Sequence, residues 1–163
     1  MYNPEEDGIT HINVYSKGKT ELGRRLSNFA HTPFTLLFHI TKDNYSSHQQ
    51  LTFQSVEGYW YWLLTGDKEL LKLYGFKAKQ YGKSKWNAKV EPVTKEQLST
   101  AYWQKLKEHP GIWKMLRYNE LPLVHYYVFG GKVIVPKEFQ WTAELWNEIK
   151  QQKIEEYEIV SSS

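Results

Sequence analysis

The stretch Phe53 to Leu64, Phe-Gln-Ser-Val-Glu-Gly-Tyr-Trp-Tyr-Trp-Leu-Leu, constrains this chain most, because so aromatic a run must be packed against something. Its signals predict a helix: Ser55 as N-cap, Val56, Trp60, Leu63 and Leu64 at helical spacing, and Gly66 as a stop. Glu57 then falls in the first turn. There the helix dipole and unpaired backbone N–H groups favour an ionised carboxylate by about 0.3–1 kcal/mol, while water-excluding aromatic neighbours push its pKa up. A carboxylate balanced between these effects suits a general base or a stabiliser of developing positive charge. The same position also suits a simple capping or dipole partner, and the Tyr59–Trp62 stripe suits a core.

Around this helix the chain predicts a single α+β domain, a small mixed or antiparallel sheet packed with several helices. Met1 to Thr10 is turn-rich and expected to be loose. His11 to Tyr15 alternates and reads as a strand, Glu21 to Leu26 as one helical turn, and Ser27, Asn28 and Phe29 as irregular. Phe34 to Ile40 and Gln50 to Phe53 are expected to form a hairpin, with Asp43, Asn44 and Ser46 marking its turn. Asp67 to Leu73 reads as a short helix with Leu70, Leu71 and Leu73 inward. Phe76 to Gly82 is a further short segment before a lysine-rich loop. Thr94 with Gln97 predicts a capping box for a helix running to about His109, where Pro110 and Gly111 break it. Leu123 to Phe129 and Lys132 to Val135 read as strands joined at Gly130-Gly131. Thr142 to Tyr157 reads as a final amphipathic helix with Leu145, Trp146, Ile149 and Ile154 buried, leaving residues 158–163 loose.

The 163 residues suffice to bury a core without staples, and the absence of cysteine excludes disulfides, thiolate metal sites and cysteine nucleophiles. The acidic N-terminus is unlike a signal peptide and no apolar run reaches membrane-spanning length, so a soluble cytoplasmic protein is expected. A net charge of +3 does not by itself announce a nucleic-acid binder but permits an anionic ligand. Seven Trp and twelve Tyr suit a core plus a stacking pocket for a planar ligand, although a large core alone would use many of them. The six histidines show no i, i+4 pairing, which argues against a metal, and there is no glycine-rich phosphate loop and no nucleophile elbow.

Polar residues that a core does not need gather in four places. Tyr15-Ser16 ends a strand. Arg24-Arg25-Leu26-Ser27-Asn28-Phe29 combines guanidinium groups suited to phosphate with an amide that donates and accepts. Glu57 stands in its aromatic helix. Lys77, Lys79, Lys83 and Lys85 interleave with Tyr81 and Trp86, a pattern that suits a diphosphate or a nucleic-acid backbone with a ring stacked on a base. Taken alone, the arginine pair and the lysine run read more readily as solvated surface faces.

Ile12-Asn13-Val14-Tyr15-Ser16, Leu26-Ser27-Asn28-Phe29-Ala30, Ser55-Val56-Glu57-Gly58-Tyr59-Trp60 and Ala78-Lys79-Gln80-Tyr81-Gly82-Lys83 resemble, in order and spacing, the successive motifs of the YbiA-like, or NADAR, family. A weaker similarity continues through Lys105 to Leu116 and Leu123-Val124. The resemblance implies an α+β fold and an N-glycosidase acting on ribosyl or ADP-ribosyl compounds, such as riboflavin-pathway intermediates or ADP-ribosylated guanine, without a cofactor or a metal. It makes Glu57 the catalytic acid. It makes Ser27, Asn28 and Phe29 the Ser-Asn-Phe pocket motif, Gly82 with Lys83 the Gly-Arg/Lys motif, and Trp86 the pocket tryptophan. Trp60 and its neighbour Tyr59 would pack against base or sugar, Arg25, Lys79 and Lys83 would hold phosphates, and Tyr15 and Ser16 would border the substrate. Where family members often carry His after the acid, this chain has Gly58.

Cleaving an N-ribosyl bond passes through an oxocarbenium-like state, which an ionised Glu57 would stabilise or relieve by deprotonating the attacking water. The partner is then a small nucleotide or ADP-ribosyl substrate, free or presented on nucleic acid. Two other readings stand beside this one: a non-catalytic module that binds nucleotide or ADP-ribose, and a nucleic-acid-associated protein using Lys77 to Lys89.

Overall fold

The computed structural model describes the backbone of residues 1–162, with the side chains of all of these except Ile40, Lys42 and 153–162. It is an α+β structure whose strands pair two by two. The chain divides into two compact units, Met1–Ser27 with His109–Ser163, and Asn28–Glu108.

In the first unit, β1 (Ile12–Asn13) runs parallel to β4 (Leu123–Val124), with Ile12 opposite Leu123. Strands of two residues have few ladder bonds, and asparagine amides supply more. The Asn13 side chain donates to the Tyr126 carbonyl and accepts from the Tyr126 N–H, while Asn147 does the same for Leu123. Asp7, buried within the segment expected to be loose, accepts from the backbone N–H groups of Asn13 and Lys19. The short helix α1 (Glu21–Leu26) starts on Thr20, whose hydroxyl accepts from Gly23 N–H. Helix α5 (Pro110–Tyr118) begins on Pro110, the residue expected to break the helix before it.

The expected strand Leu123 to Phe129 is divided. His125 and Tyr126 leave the ladder, because His125 Nδ1 bonds the Val14 carbonyl and Tyr126 spends its backbone on Asn13. Beyond them the chain forms a separate hairpin, β5 (Tyr127–Phe129) and β6 (Lys132–Ile134), turning through Gly130 and Gly131, both at positive φ. Helix α6 (Gln140–Ser162) buries Ala143, Leu145, Trp146 and Ile149. The side chain of Ile154 and residue Ser163 lie outside the described residues.

In the second unit, β2 (Phe34–Lys42) and β3 (Tyr45–Phe53) form an antiparallel hairpin with Phe34 opposite Phe53 and Lys42 opposite Tyr45. It is longer than its sequence suggests. The reversal is confined to Asp43 and Asn44, at φ 51° and 64°, which matches the right-handed twist of the strands. The polar residues Ser46 to Gln50 continue the strand although neither face there is apolar.

Helix α2 (Val56–Thr65) is the expected aromatic helix, capped by Ser55 and ended by Gly66 in the left-handed conformation. Its buried side is made of Val56, Tyr59, Tyr61 and Leu64, while Trp60 and Leu63 are only half-buried. Tyr59 takes the inner position because Phe34 and Phe53 offer it ring edges at 5.9 Å and 5.1 Å, and its hydroxyl donates to the Gln97 carbonyl. Residues Lys68–Lys72 make a 3-10 turn that buries Leu70, with Leu71 and Leu73 half-buried. Helix α3 (Gly75–Lys85) extends past the expected segment to include Lys83 and Lys85. Helix α4 (Lys95–Glu108) begins with the expected capping box: Gln97 N–H donates to Thr94 Oγ1 and Thr94 N–H donates to Gln97 Oε1.

Helices α2 and α3 approach so closely that a Cβ on Gly82 would overlap the Tyr61 side chain. Gly82→Ala should therefore lower unfolding stability by about 1–3 kcal/mol, through overpacking of a contact that has no room to give. A urea midpoint unchanged from wild type would contradict that packing.

Candidate functional site

The site is assembled in the second unit from the irregular loop Asn28-Phe29 and three helices. The Asn28 carbonyl accepts the N–H of Glu57 at 2.9 Å, which satisfies one of the orphan donors of the α2 N-terminus. The Asn28 side chain is held from α4: Tyr102 Oη donates to Asn28 Oδ1 at 2.7 Å. The Phe29 carbonyl accepts the N–H of Gly75 at the start of α3, and the Phe29 ring lies 5.9 Å beneath the ammonium of Lys79. The loop that the sequence marks as unsuited to helix or strand thus spends its backbone carbonyls on two helix N-termini.

Glu57 is half-exposed by residue surface, yet its carboxyl sits where burial dominates its titration. Its pKa is raised from 4.5 to about 7; loss of solvent raises it, and the charges of Lys79 and then Lys83 oppose the rise. These lysines stand four residues apart on one face of α3, brought toward Glu57 by the Gly82–Tyr61 approach. Tyr61, one helical turn beyond Glu57, is pushed up to about 12 by burial and by the Glu57 charge. Gly58 is required where it stands, since a Cβ there would come 2.5 Å from the Leu70 carbonyl oxygen. A histidine at this position has no space.

Of the residues expected at the site, Glu57, Asn28, Phe29, Lys79, Gly82 and Lys83 come together. Trp60 lies half-buried on α2, and Trp86 caps the C-terminus of α3 with 47% of its surface exposed. Tyr59 is corrected: with its surface 3% exposed, its ring against Phe34 and Phe53 and its hydroxyl on Gln97, it belongs to the core and has no face to offer a substrate. Gly82 is a packing residue, set against Tyr61.

The lysine run divides. Lys85 lies over the Tyr81 ring, whose hydroxyl donates to Asp67, and Lys77 lines an open depression of about 360 Å³ with Leu73, Gln80, Tyr81 and Ser84. That depression does not include Glu57.

Tyr15, Ser16, Arg25 and Ser27 belong to the first unit. Tyr15 borders a depression of about 250 Å³ together with Asp7, Lys17 and Lys19. Ser16 is half-buried, and Ser27 is buried as the C-cap of α1. The arginine pair is not arranged as a clamp. Arg24 donates to the Gly18 and Lys19 carbonyls, and Arg25 stands 3.6 Å from Glu21 in an exposed i, i+4 pair.

Nothing in the sequence singles out Tyr102. It is 74 residues from Asn28, in a helix whose apolar pattern makes it another core aromatic, so only the fold reveals its hydroxyl. Among the described residues no group of three or more His, Cys, Asp or Glu is placed to hold a metal ion, and no helix is long and apolar enough to cross a membrane. Comparison of the chain with protein-family models, with curated proteins and with solved structures finds no match. Fold and site therefore define a class by themselves: an α+β protein with a carboxyl of raised pKa at a helix N-terminus, within electrostatic reach of two lysines and next to an amide held by Tyr102.

The raised pKa of Glu57 carries a sign for stability. Its preference for the protonated form stabilises the fold fully below the ordinary carboxyl range, and this contribution is lost as pH rises through about 7. Glu57→Gln removes the dependence. The variant should match wild type near pH 4.5 and exceed it by up to about 3 kcal/mol above pH 8, in denaturant titrations at each pH. Parallel pH curves for the two proteins would refute the burial of this carboxyl.

Proposed function

We propose that the chain is an N-glycosidase that hydrolyses the bond between a ribosyl carbon and a nitrogen in an ADP-ribosyl or phosphoribosyl substrate, as its resemblance to the YbiA-like family implies. The observation that carries the reading is Glu57 with its raised pKa within electrostatic reach of Lys79 and Lys83, with Asn28 held against the same helix turn. Each part has a task in that chemistry. As the bond from the anomeric carbon to nitrogen lengthens, its electron pair leaves with the base and positive charge develops on the sugar. Ionised Glu57 stabilises that charge and takes a proton from the incoming water, whose oxygen bonds the anomeric carbon; the departing nitrogen acquires a proton from solvent. Lys79 and Lys83 hold phosphate oxygens, and their charge keeps part of the Glu57 population ionised at neutral pH. Phe29 and Trp60 supply apolar surface for the ring or sugar.

The test is product analysis by liquid chromatography with mass detection, using NAD, ADP-ribose, ADP-ribosylated guanosine and phosphoribosylaminopyrimidines. Wild type should release a free base or amine from one class, and Glu57→Gln should lose at least about 100-fold in rate while remaining folded. The kcat/KM of wild type should rise with pH across about 7, as Glu57 ionises. Binding without cleavage by wild type would favour a module that only sequesters nucleotide or ADP-ribose; a fully active Glu57→Gln would remove Glu57 from the mechanism.

A further inference from the structure

The β2–β3 hairpin creates a histidine pair that no helical spacing in the sequence shows. His39 on β2 and His48 on β3 are register partners, directly opposite each other, and both side chains are exposed. Counted from the closing pair Lys42–Tyr45 of the two-residue turn, they fall at a position without ladder hydrogen bonds between them, where cross-strand side chains come closest. Their ring centroids are 4.8 Å apart and the rings are tilted by 53°. Neither ring has a hydrogen-bond partner among the described residues. The acceptor nitrogen of each neutral imidazole is therefore open to an external group.

The distance decides what that group is. An ion bound about 2.0–2.1 Å from one nitrogen of each ring lies about 3.2 Å from each centroid, so two imidazoles on a tetrahedral ion have centroids about 5 Å apart. The pair already stands at that separation. Rings stacked in parallel would point their nitrogen lone pairs side by side, and the tilt frees these two from that constraint. Imidazole nitrogen suits zinc, copper and nickel, whereas magnesium and calcium prefer oxygen. The hairpin also gains from a clasp at this point. From Thr41 to Gln50 every described side chain except Ser47 is exposed, and two strands held by their ladder alone are marginal in water.

We propose that His39 and His48 form a two-histidine site for a divalent transition metal ion, which clasps the two strands near the tip of the hairpin. The remaining coordination positions face solvent. The inference is independent of the ribosyl reading of the Glu57 site.

The experiment titrates the ¹⁵N-labelled protein with Zn²⁺, following histidine ring nitrogens by nuclear magnetic resonance and backbone amide exchange in parallel. The ring signals of His39 and His48 should move ahead of those of the other histidines. Amide exchange between His39 and His48 should slow, and return on adding EDTA. His39→Ala and His48→Ala should each weaken the Zn²⁺ Kd by at least about 10-fold, because one ligand of a chelating pair is lost. His31→Ala, which removes an exposed histidine elsewhere, should bind as wild type does, and Mg²⁺ should not compete. Equal affinity in either His39→Ala or His48→Ala overturns the proposal, as does Zn²⁺ that perturbs the exposed histidines indiscriminately, which would be adventitious binding only. Zn²⁺ bound at the pair without slower exchange in the hairpin would overturn the clasp.

Discussion

The close approach of α3 to α2 at Gly82 is the constraint on which the site depends. Only a residue without a side chain lets the Tyr61 ring lie against the α3 backbone, and that approach brings the Lys79 and Lys83 charges to bear on Glu57. A second close contact works at the other end of α2. Ser55 caps the helix and donates to the Leu73 carbonyl, and Gly58 clears the Leu70 carbonyl, so the first turn is pressed against the 3-10 turn below it. Loss of solvent at this turn is the largest cause of the raised pKa of Glu57. Two motifs that look like separate sequence signatures, the glycine after the acid and the glycine before Lys83, are two sides of one packing solution.

Electrostatically, loss of solvent at Glu57 outweighs the two lysine charges that oppose it. Burial favours the protonated carboxyl, and the ammonium groups of Lys79 and Lys83 favour the ionised one. Combined, they leave the group titrating near neutrality, the condition under which one carboxyl both accepts a proton and faces developing positive charge. The aromatic richness of the chain serves this indirectly. Many of the rings, among them Tyr59, Phe34, Phe53 and Trp62, form a core that fixes α2 on the base of the β2–β3 hairpin, while Phe29, Trp60 and Trp86 keep surface near or beyond the site elements.

Much of this is legible in the sequence where a local rule decides the outcome. Ser55 and Gly66 bound α2, Thr94 and Gln97 start α4, and the Gly130-Gly131 turn forms because each is settled by backbone geometry within a few residues. The misses arise where distant groups decide. Helical spacing cannot tell whether Trp60 or Tyr59 faces inward, since both lie on an all-aromatic stripe, and the choice falls to Phe34 and Phe53. The polar stretch Ser46 to Gln50 carries no strand pattern, and it is strand because the Asp43-Asn44 turn sets its register with β2. Arginines read as a phosphate clamp prove to be bound to carbonyls and to Glu21. In the candidate site the acid and the Asn28-Phe29 loop are visible from their motifs, whereas Tyr102 reaches Asn28 only through the packing of α4.

The chemistry proposed for the site turns on the ionisation of one carboxyl, and the most direct measurement is a ¹³C-detected pH titration of the Glu57 side chain in wild type and in Lys79→Met. The expected midpoint is about 7 in wild type and higher when the stronger opposing charge is removed. A wild-type midpoint at the ordinary 4.5, or one that does not move on losing Lys79, would contradict a buried carboxyl held near neutrality by the lysines of α3.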